Sequence, residues 1–152
     1  MRTTIQTEII INAPLEIVWN TLMQFEHYPN WNPFIQQIIG DAKVGNKIKV
    51  TLQDPQKNKM SFHAVVLNKQ ENQEFKWRGK LLITGLFDGE HYFQLSTIGE
   101  NRTRLIHSEE FQGILVRAFL KTLETKTKTN FERMNQALKH EAEQLFSLSR
   151  CT

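Results

Sequence analysis

Residues 9–34 decide the fold, and they read IIINAPLEIVWNTLMQFEHYPNWNPF. This stretch starts within an alternating pattern and passes at once into a helical one. Pro14 suits the first position of a helix, where its missing N–H is not needed, and Glu16 suits the positive end of the helix dipole. Apolar side chains then recur at helical spacing until Pro29 and Pro33 break the chain into short turns. We therefore predict a strand, a helix and short turned segments, in that order.

Alternation of apolar and polar residues predicts a series of strands. The first runs roughly from Thr3 to Asn12, with isoleucines and Thr7 on one face. The same period of two recurs over residues 47–52, 60–66, 74–80, 87–95 and 102–111. Because each strand has one apolar and one polar face, we predict an antiparallel sheet with one face exposed to water.

The pattern becomes helical after Gly113. Apolar residues step by three or four positions from Val116 to Leu145, and neither glycine nor proline follows Gly113. This predicts one helix of about 30 residues, roughly 45 Å long. The helix stripe and the apolar sheet face can bury each other, so we predict one domain over residues 1–152.

Composition excludes several classes of protein. The charge of +3 is small, and the basic residues are spread along the chain, so no nucleic-acid partner is expected. No run of about 18 apolar residues is present, so no stable membrane insertion is expected. The N-terminus lacks a signal-peptide pattern, and we expect a cytoplasmic location. The single cysteine, Cys151, reads as a solvated tail thiol.

Short motifs along the chain resemble one family. They are Ala13-Pro14 with Val18-Trp19, Tyr28-Pro29 with Trp31-Asn32-Pro33-Phe34, Gly89-Glu90-His91 followed by Phe93, and more weakly Gly113 after Glu109. This set resembles the START-like (SRPBCC) superfamily, in its polyketide cyclase/dehydrase and lipid-transport-like branch. The resemblance implies the α+β helix-grip fold: a curved antiparallel sheet of about seven strands around a long C-terminal helix, with two short helices after the first strand. It also implies an internal apolar cavity.

Three polar residues fall on the face that should point inward: His91, His107 and Glu109. If residues 99–101 form a three-residue hairpin loop, His91 lies directly opposite Glu109, and Phe93 lies opposite His107. Directly opposed side chains are close enough for a charge-assisted hydrogen bond. The pair could simply fix the strand register, but the implied cavity favours a polar anchor for an apolar ligand.

Other chemistry for these residues is less favoured. A histidine beside a glutamate can move protons near neutral pH, so an acid–base role stays open. Two histidines and a carboxylate could bind a metal, but no metal motif of known spacing occurs, so neither metal nor cofactor is expected. The sequence also lacks a nucleophile elbow and a phosphate-binding glycine loop.

Further ligand contacts are predicted around this pair. The candidate walls are the aromatic residues Trp31, Phe34, Trp77, Phe87, Phe93 and Phe111, with Gly79 and Gly89 leaving gaps between them. Thr127 interrupts the apolar stripe of the long helix, and Asn130 lies close by on the same side; they could face the same cavity, or equally cap a gap in the core or bond to the backbone. Each aromatic residue could instead be plain core.

Three functions compete on this basis. The favoured one is a non-enzymatic carrier or sensor of an apolar small molecule, such as a lipid, an isoprenoid or a polyketide-like compound. The second is a cyclase or dehydratase that uses His91 or Glu109 as acid and base. The third is a protein-interaction module that docks through the long helix, and the lysines on its outer side argue against it. A weak homodimer is left open.

Overall fold

A computed structural model describes residues 1–80 and 88–151. The strands are β1 (Arg2–Ile11), β2 (Ile35–Ile39), β3 (Lys47–Gln53), β4 (Lys59–Gln70), β5 (Glu74–Lys80), β6 (Asp88–Gly99) and β7 (Arg102–Gln112). The helices are α1 (Leu15–Met23), α2 (Tyr28–Trp31), α3 (Val116–Thr122) and α4 (Lys128–Arg150). A 3₁₀ turn, Phe25–His27, joins α1 to α2, and a π-helical turn, Leu123–Thr127, joins α3 to α4.

Within the described residues, the strands form one seven-stranded sheet in the order β1-β7-β6-β5-β4-β3-β2. Every neighbouring pair is antiparallel. This arrangement, with short helices after β1 and a long C-terminal helical segment, confirms the predicted helix-grip fold. The predicted start of β6 at Phe87 lies outside the described residues.

Strand β2 was not predicted from alternation. Its buried residues are Ile35 and Ile38, which are three positions apart. A shift in register between Ile35 and Gln37 explains this spacing, because an extra residue in the strand reverses which face the following side chains occupy. Period-two reasoning therefore fails at this edge strand.

The C-terminal helical segment runs without a break from Val116 to Arg150. Its last and longest part, α4, packs against β1 and α1 with an apolar stripe. The buried residues of that stripe are Phe131, Met134, Asn135, Leu138 and Ala142. No helix in residues 1–80 and 88–151 has both the length and the apolar character required to cross a membrane.

The motif around Asn32 sets the entry into β2. The Asn32 Oδ1 atom accepts hydrogen bonds from the backbone N–H groups of Phe34 and Ile35, at 3.0 and 2.9 Å. Such side-chain-to-backbone bonds hold a turn where the chain leaves a helix. Phe34 is thereby fixed where the chain passes from α2 to the sheet.

Candidate functional site

A pocket of about 290 Å³ lies between the inner face of the sheet and the C-terminal helical segment. Its apolar lining consists of Phe34, Leu52, Met60, Phe62, Trp77, Phe111, Phe119 and Leu123. Its remaining lining residues are Gly79, Gly89, His91, Glu109, Thr122, Thr127 and Asn130. The walls are therefore largely apolar, with one acidic side chain, Glu109, on the sheet side.

Seven of the predicted ligand contacts line this pocket: Phe34, Trp77, His91, Glu109, Phe111, Thr127 and Asn130. Trp31 does not, and it packs instead against the ring of Tyr28 at 5.1 Å between ring centroids. Phe93 and His107 are buried in the layer below the pocket, and Phe87 lies outside the described residues.

Sequence reasoning missed two parts of the lining. Leu52 and Met60 lie opposite each other on β3 and β4, and Phe62 follows on β4. The alternation of those strands already placed all three on the inner face. Phe119 and Leu123 lie four residues apart in the C-terminal helical segment, so they share one side of it. Phe119 keeps 49% of its surface exposed, which places it at the edge of the pocket.

Strands β6 and β7 bring Glu109 and His91 together. The two residues are direct partners in the register, as are Phe93 and His107, so the predicted pairing is confirmed. The His91 Nδ1 and Glu109 Oε2 atoms are 3.1 Å apart. The predicted three-residue loop, 99–101, is wrong in length, because only residues 100 and 101 lie between the paired strand ends. Gly99 pairs with Arg102, and an irregularity after Thr97 restores the same register deeper in the sheet.

His91 is one member of a continuous hydrogen-bonded chain. From His91 Nε2 it continues to His107 Nε2 at 2.8 Å, and from His107 Nδ1 to Asn135 Oδ1 at 2.8 Å. Asn135 Nδ2 donates to Thr7 Oγ1 at 2.8 Å, and Thr7 Oγ1 donates to the backbone carbonyl of His107 at 3.0 Å. We call Glu109, His91, His107, Asn135 and Thr7 the polar chain.

The donors and acceptors of the polar chain can be assigned from its fixed end. The Thr7 hydroxyl gives its one hydrogen to a carbonyl, which can only accept, so Thr7 accepts from the amide nitrogen of Asn135. Asn135 Oδ1 then faces His107 Nδ1, which must carry a hydrogen.

The same logic extends to the pocket. A neutral His107 accepts at Nε2, so His91 carries its hydrogen on Nε2 and accepts at Nδ1. The remaining proton, between His91 Nδ1 and Glu109 Oε2, then comes from Glu109. With both imidazoles neutral, the donor and acceptor pattern makes Glu109 a protonated acid.

Electrostatics favours the same assignment. Burial raises the pKa of Glu109 to about 8 and lowers the pKa of His91 to about 3. Burial also lowers the pKa of His107, and the neighbouring His91 adds to this, while the hydrogen bond to Asn135 opposes it. The side chain of His91 is 4% exposed and that of Glu109 is 18% exposed. All three groups are therefore uncharged near pH 7.

Aromatic rings hold the two imidazoles in place. The Trp77 ring stacks on His91 with a centroid distance of 4.5 Å and an angle of 2° between the planes. Phe131 stacks on His107 at 4.0 Å and 14°, and Phe93 contacts both histidines at 5.0 and 4.5 Å. These contacts fix the ring orientations that the hydrogen bonds require.

Two glycines make room for the acid. Gly79 and Gly89 lie opposite each other on β5 and β6. A Cβ atom on Gly89 would collide with Glu109 Oε1, and one on Gly79 would approach Phe62 Cε2 to 2.7 Å. The absence of a side chain at Gly89 therefore lets the Glu109 carboxyl group lie over β6.

The helix side of the pocket carries a second polar feature. Arg133 Nη1 donates to Asn130 Oδ1 at 3.1 Å, and Arg133 Nη2 donates to the Pro33 carbonyl at 3.4 Å. Since its oxygen is occupied, Asn130 has its amide nitrogen left for other partners. Thr127 ends the π-helical turn beside it, a feature that is frequent at functional sites.

The histidines are not arranged as metal ligands. Their Nε2 atoms are hydrogen-bonded to each other. The Nδ1 atom of His91 is hydrogen-bonded to Glu109, and that of His107 to Asn135. Across residues 1–80 and 88–151, no three His, Cys, Asp or Glu side chains converge in a way that could hold a metal ion.

The sheet, the long C-terminal helical segment and the pocket between them define a START-like protein. A model of the family described as polyketide cyclase / dehydrase and lipid transport matches residues 2–143. The chain therefore belongs to this family, which confirms the resemblance seen in the short motifs. No curated protein sequence gives a match.

Solved structures show the same fold. The Zhui aromatase/cyclase from Streptomyces sp. R1128 is 16% identical, with 94% of each chain covered and a TM-score of 0.74. A START superfamily protein from Mycobacterium smegmatis is 19% identical, covering 93% of this chain and 98% of that one, with a TM-score of 0.74. The di-domain ARO/CYC StfQ of the steffimycin biosynthetic pathway is 10% identical, with a TM-score of 0.76. The match covers 94% of this chain and 52% of StfQ, so this chain spans about half the length of that protein. At these identities the likeness shows the fold alone.

Proposed function

We propose that this protein binds an apolar small molecule in the pocket between the sheet and the C-terminal helical segment, as a carrier or sensor. The observation that carries the proposal is an apolar pocket with a single acid, Glu109, supported from beneath by buried hydrogen bonds. Pockets with largely apolar walls and few oriented polar groups are the usual form of small-molecule sites.

The size of the pocket limits the ligand. Its volume of about 290 Å³ is near the lower end of the range of roughly 300–1,000 Å³ found for small-molecule sites. A compact ligand, such as a fused-ring compound or a short isoprenoid, fits this volume better than a two-chain lipid. The exposed edge at Phe119 gives a longer ligand a way to extend out of the pocket.

Native mass spectrometry of the freshly purified protein tests the proposal. We expect a reproducible adduct that organic extraction releases as an apolar compound. Thr127→Phe, which fills the pocket from the helix side, should abolish the adduct. Thr129→Phe is the matched control, because Thr129 is exposed on the same segment and does not line the pocket. An adduct that survives Thr127→Phe unchanged would contradict binding in this pocket.

Acid–base catalysis by a cyclase or dehydratase is the second candidate. It is favoured by the contact between Glu109 Oε2 and His91 Nδ1. Through this contact, Glu109 could accept a substrate proton on Oε1 while its own proton passes from Oε2 to His91 Nδ1. The low pKa of His91, about 3, opposes this, because a proton stored there would charge a buried ring. Binding without turnover is therefore ranked first.

Glu109→Gln separates these two functions. If the protein is an enzyme, the variant should lose turnover of its substrate while keeping most of its ligand affinity, because glutamine keeps the shape but cannot exchange the proton. Equal loss of turnover and affinity would favour simple binding.

A further inference from the structure

We propose that the ligand presents an uncharged hydroxyl group, of an alcohol or a phenol, as hydrogen-bond donor to Glu109 Oε1. This inference rests on the proposed function, because it names the chemistry of the ligand's polar end. It is carried by the hydrogen-bond directions of the polar chain, which run from Thr7 to the pocket.

The two oxygens of Glu109 have different tasks. Oε2 is bonded to His91 Nδ1 at 3.1 Å. Oε1 lies over Gly89, which lines the pocket, and has no hydrogen-bond partner among the described residues. Oε1 is not among the fully buried unpaired atoms, and the Glu109 side chain keeps 18% of its surface exposed. Oε1 is thus the polar atom that a ligand meets on the sheet side.

Oε1 is an acceptor wherever the shared proton lies. With the proton on Oε2, Oε1 is the carbonyl oxygen of a carboxylic acid. If the proton moves to His91 Nδ1, Oε1 belongs to a carboxylate. Neither form has a hydrogen on Oε1, so the ligand must supply one. An ether oxygen or a carboxylate would instead place lone pairs against lone pairs, leaving polar atoms buried without partners.

The donor should be uncharged. Glu109, His91 and His107 together carry no net charge, and the walls beside them are apolar. An ammonium group would have to leave water for this surrounding, at a large desolvation cost. A hydroxyl group gives the required hydrogen at a much smaller cost.

Three probes that share one ring system test this inference: 2-naphthol, 2-methoxynaphthalene and 2-naphthoate. Their dissociation constants are measured by titration calorimetry with the full chain at pH 6.5. Methylation replaces the hydrogen of the hydroxyl group with a methyl group and so removes the donor, and we expect it to weaken binding about tenfold. We expect 2-naphthoate to bind more weakly still.

Two substitutions of Glu109 sharpen the result. Glu109→Gln keeps an acceptor oxygen, while its amide group can donate to His91 Nδ1, so the preference for 2-naphthol should persist. Glu109→Leu removes the acceptor, so both neutral probes should bind about equally. Glu110→Gln is the matched control, since Glu110 lies on the outer face of β7 and pairs with Arg2 at 3.2 Å.

The possible results separate the two proposals. If the unaltered protein binds 2-naphthol and 2-methoxynaphthalene equally, the hydroxyl inference is wrong and the proposed binding function stands. If it binds 2-naphthoate most tightly, the assignment of Oε1 as an acceptor is overturned. If none of the probes binds and purified protein carries no adduct, the proposed function fails, and this inference fails with it.

Discussion

Two glutamates on opposite faces of the same sheet show how the surroundings of a carboxyl group set its protonation state. On the outer face, Glu90 lies between Lys76, at 3.0 Å, and Arg78. Partial burial pushes the pKa of Glu90 upward, but the hydrogen bonds and charges of Arg78 and Lys76 outweigh it and hold the pKa below its usual value. Glu109 on the inner face meets an imidazole instead of a cation, and burial raises its pKa to about 8.

The comparison shows that the sheet separates two kinds of stabilisation. Outer-face ion pairs are partly solvated and are worth little each. The inner polar chain is buried except at Glu109, so its other members depend on one another for hydrogen-bond partners. Removing one member should therefore cost far more on the inner face.

The largest effect should come from Asn135→Leu. The substitution leaves the His107 Nδ1–H group buried without an acceptor, and it also removes the donor to Thr7. We expect the free energy of unfolding to fall by about 3 kcal/mol in urea denaturation. A loss below about 1 kcal/mol would show that the polar chain does not hold the site together.

Gly89→Ala should have the next largest effect. Its Cβ atom would push the Glu109 carboxyl group away from β6, so we expect a loss of about 2 kcal/mol and loss of the preference for hydroxyl ligands. Gly99→Ala is the matched control, because a Cβ atom there meets only Arg102 Cδ at 3.9 Å. Similar losses in the two variants would remove the special role of Gly89.

The pH dependence of the free energy of unfolding tests the raised pKa of Glu109, which distinguishes it from Glu90. Above pH 4.5 unfolded Glu109 has lost its proton, whereas folded Glu109 keeps it until about pH 8. The unfolded state thus binds fewer protons, and this contribution to stability falls as pH rises. Relative to Glu109→Gln, the unaltered protein should lose roughly 1.5 kcal/mol between pH 6.5 and 8. Glu110→Gln should keep the wild-type profile, and parallel curves for all three proteins would refute the raised pKa.

Arg78→Ala should have the smallest effect. The Arg78 side chain is 48% exposed, so its pairing with Glu90 is weakened by solvent. We expect a loss of less than about 1 kcal/mol at low salt, measured by urea denaturation, and a smaller loss in 1 M salt. A loss as large as that of Asn135→Leu would erase the difference between the two faces.

The sequence predicted the pairing at the centre of the site because strand alternation and register are local rules. His91, His107 and Glu109 break the apolar pattern of two neighbouring strands, and counting from a three-residue loop predicts the correct partners because the irregularity after Thr97 compensates for the shorter loop. Asn135 was missed, although it lies in the apolar stripe of α4, four residues after Phe131. Its role depends on Thr7, which is 128 residues away in the chain, and no local rule connects them.

The lining of the pocket by the C-terminal helical segment was less predictable. The apolar stripe predicted from the sequence steps from Val116 to Leu120 and Leu123, and so it omits Phe119, which lines the pocket. Val116 and Leu123 of the same stripe are buried, so the stripe continues into the π-helical turn, and the difference lies in the choice of Leu120 over Phe119. Trp31 illustrates another limit, since an aromatic residue beside a site can pack on a neighbour such as Tyr28 and leave the wall to others.

The hydrogen bond between Thr7 and Asn135 also has a consequence for folding during synthesis on the ribosome. The first strand and all of the sheet emerge before residue 135, so a nascent chain can pair its strands while His107 Nδ1 still lacks its acceptor. Contacts between residues that are distant in the chain also form slowly, because closing the loop between them costs entropy. The hydrogen bonds that order the proton of Glu109 are therefore complete only after α4 has docked on the sheet.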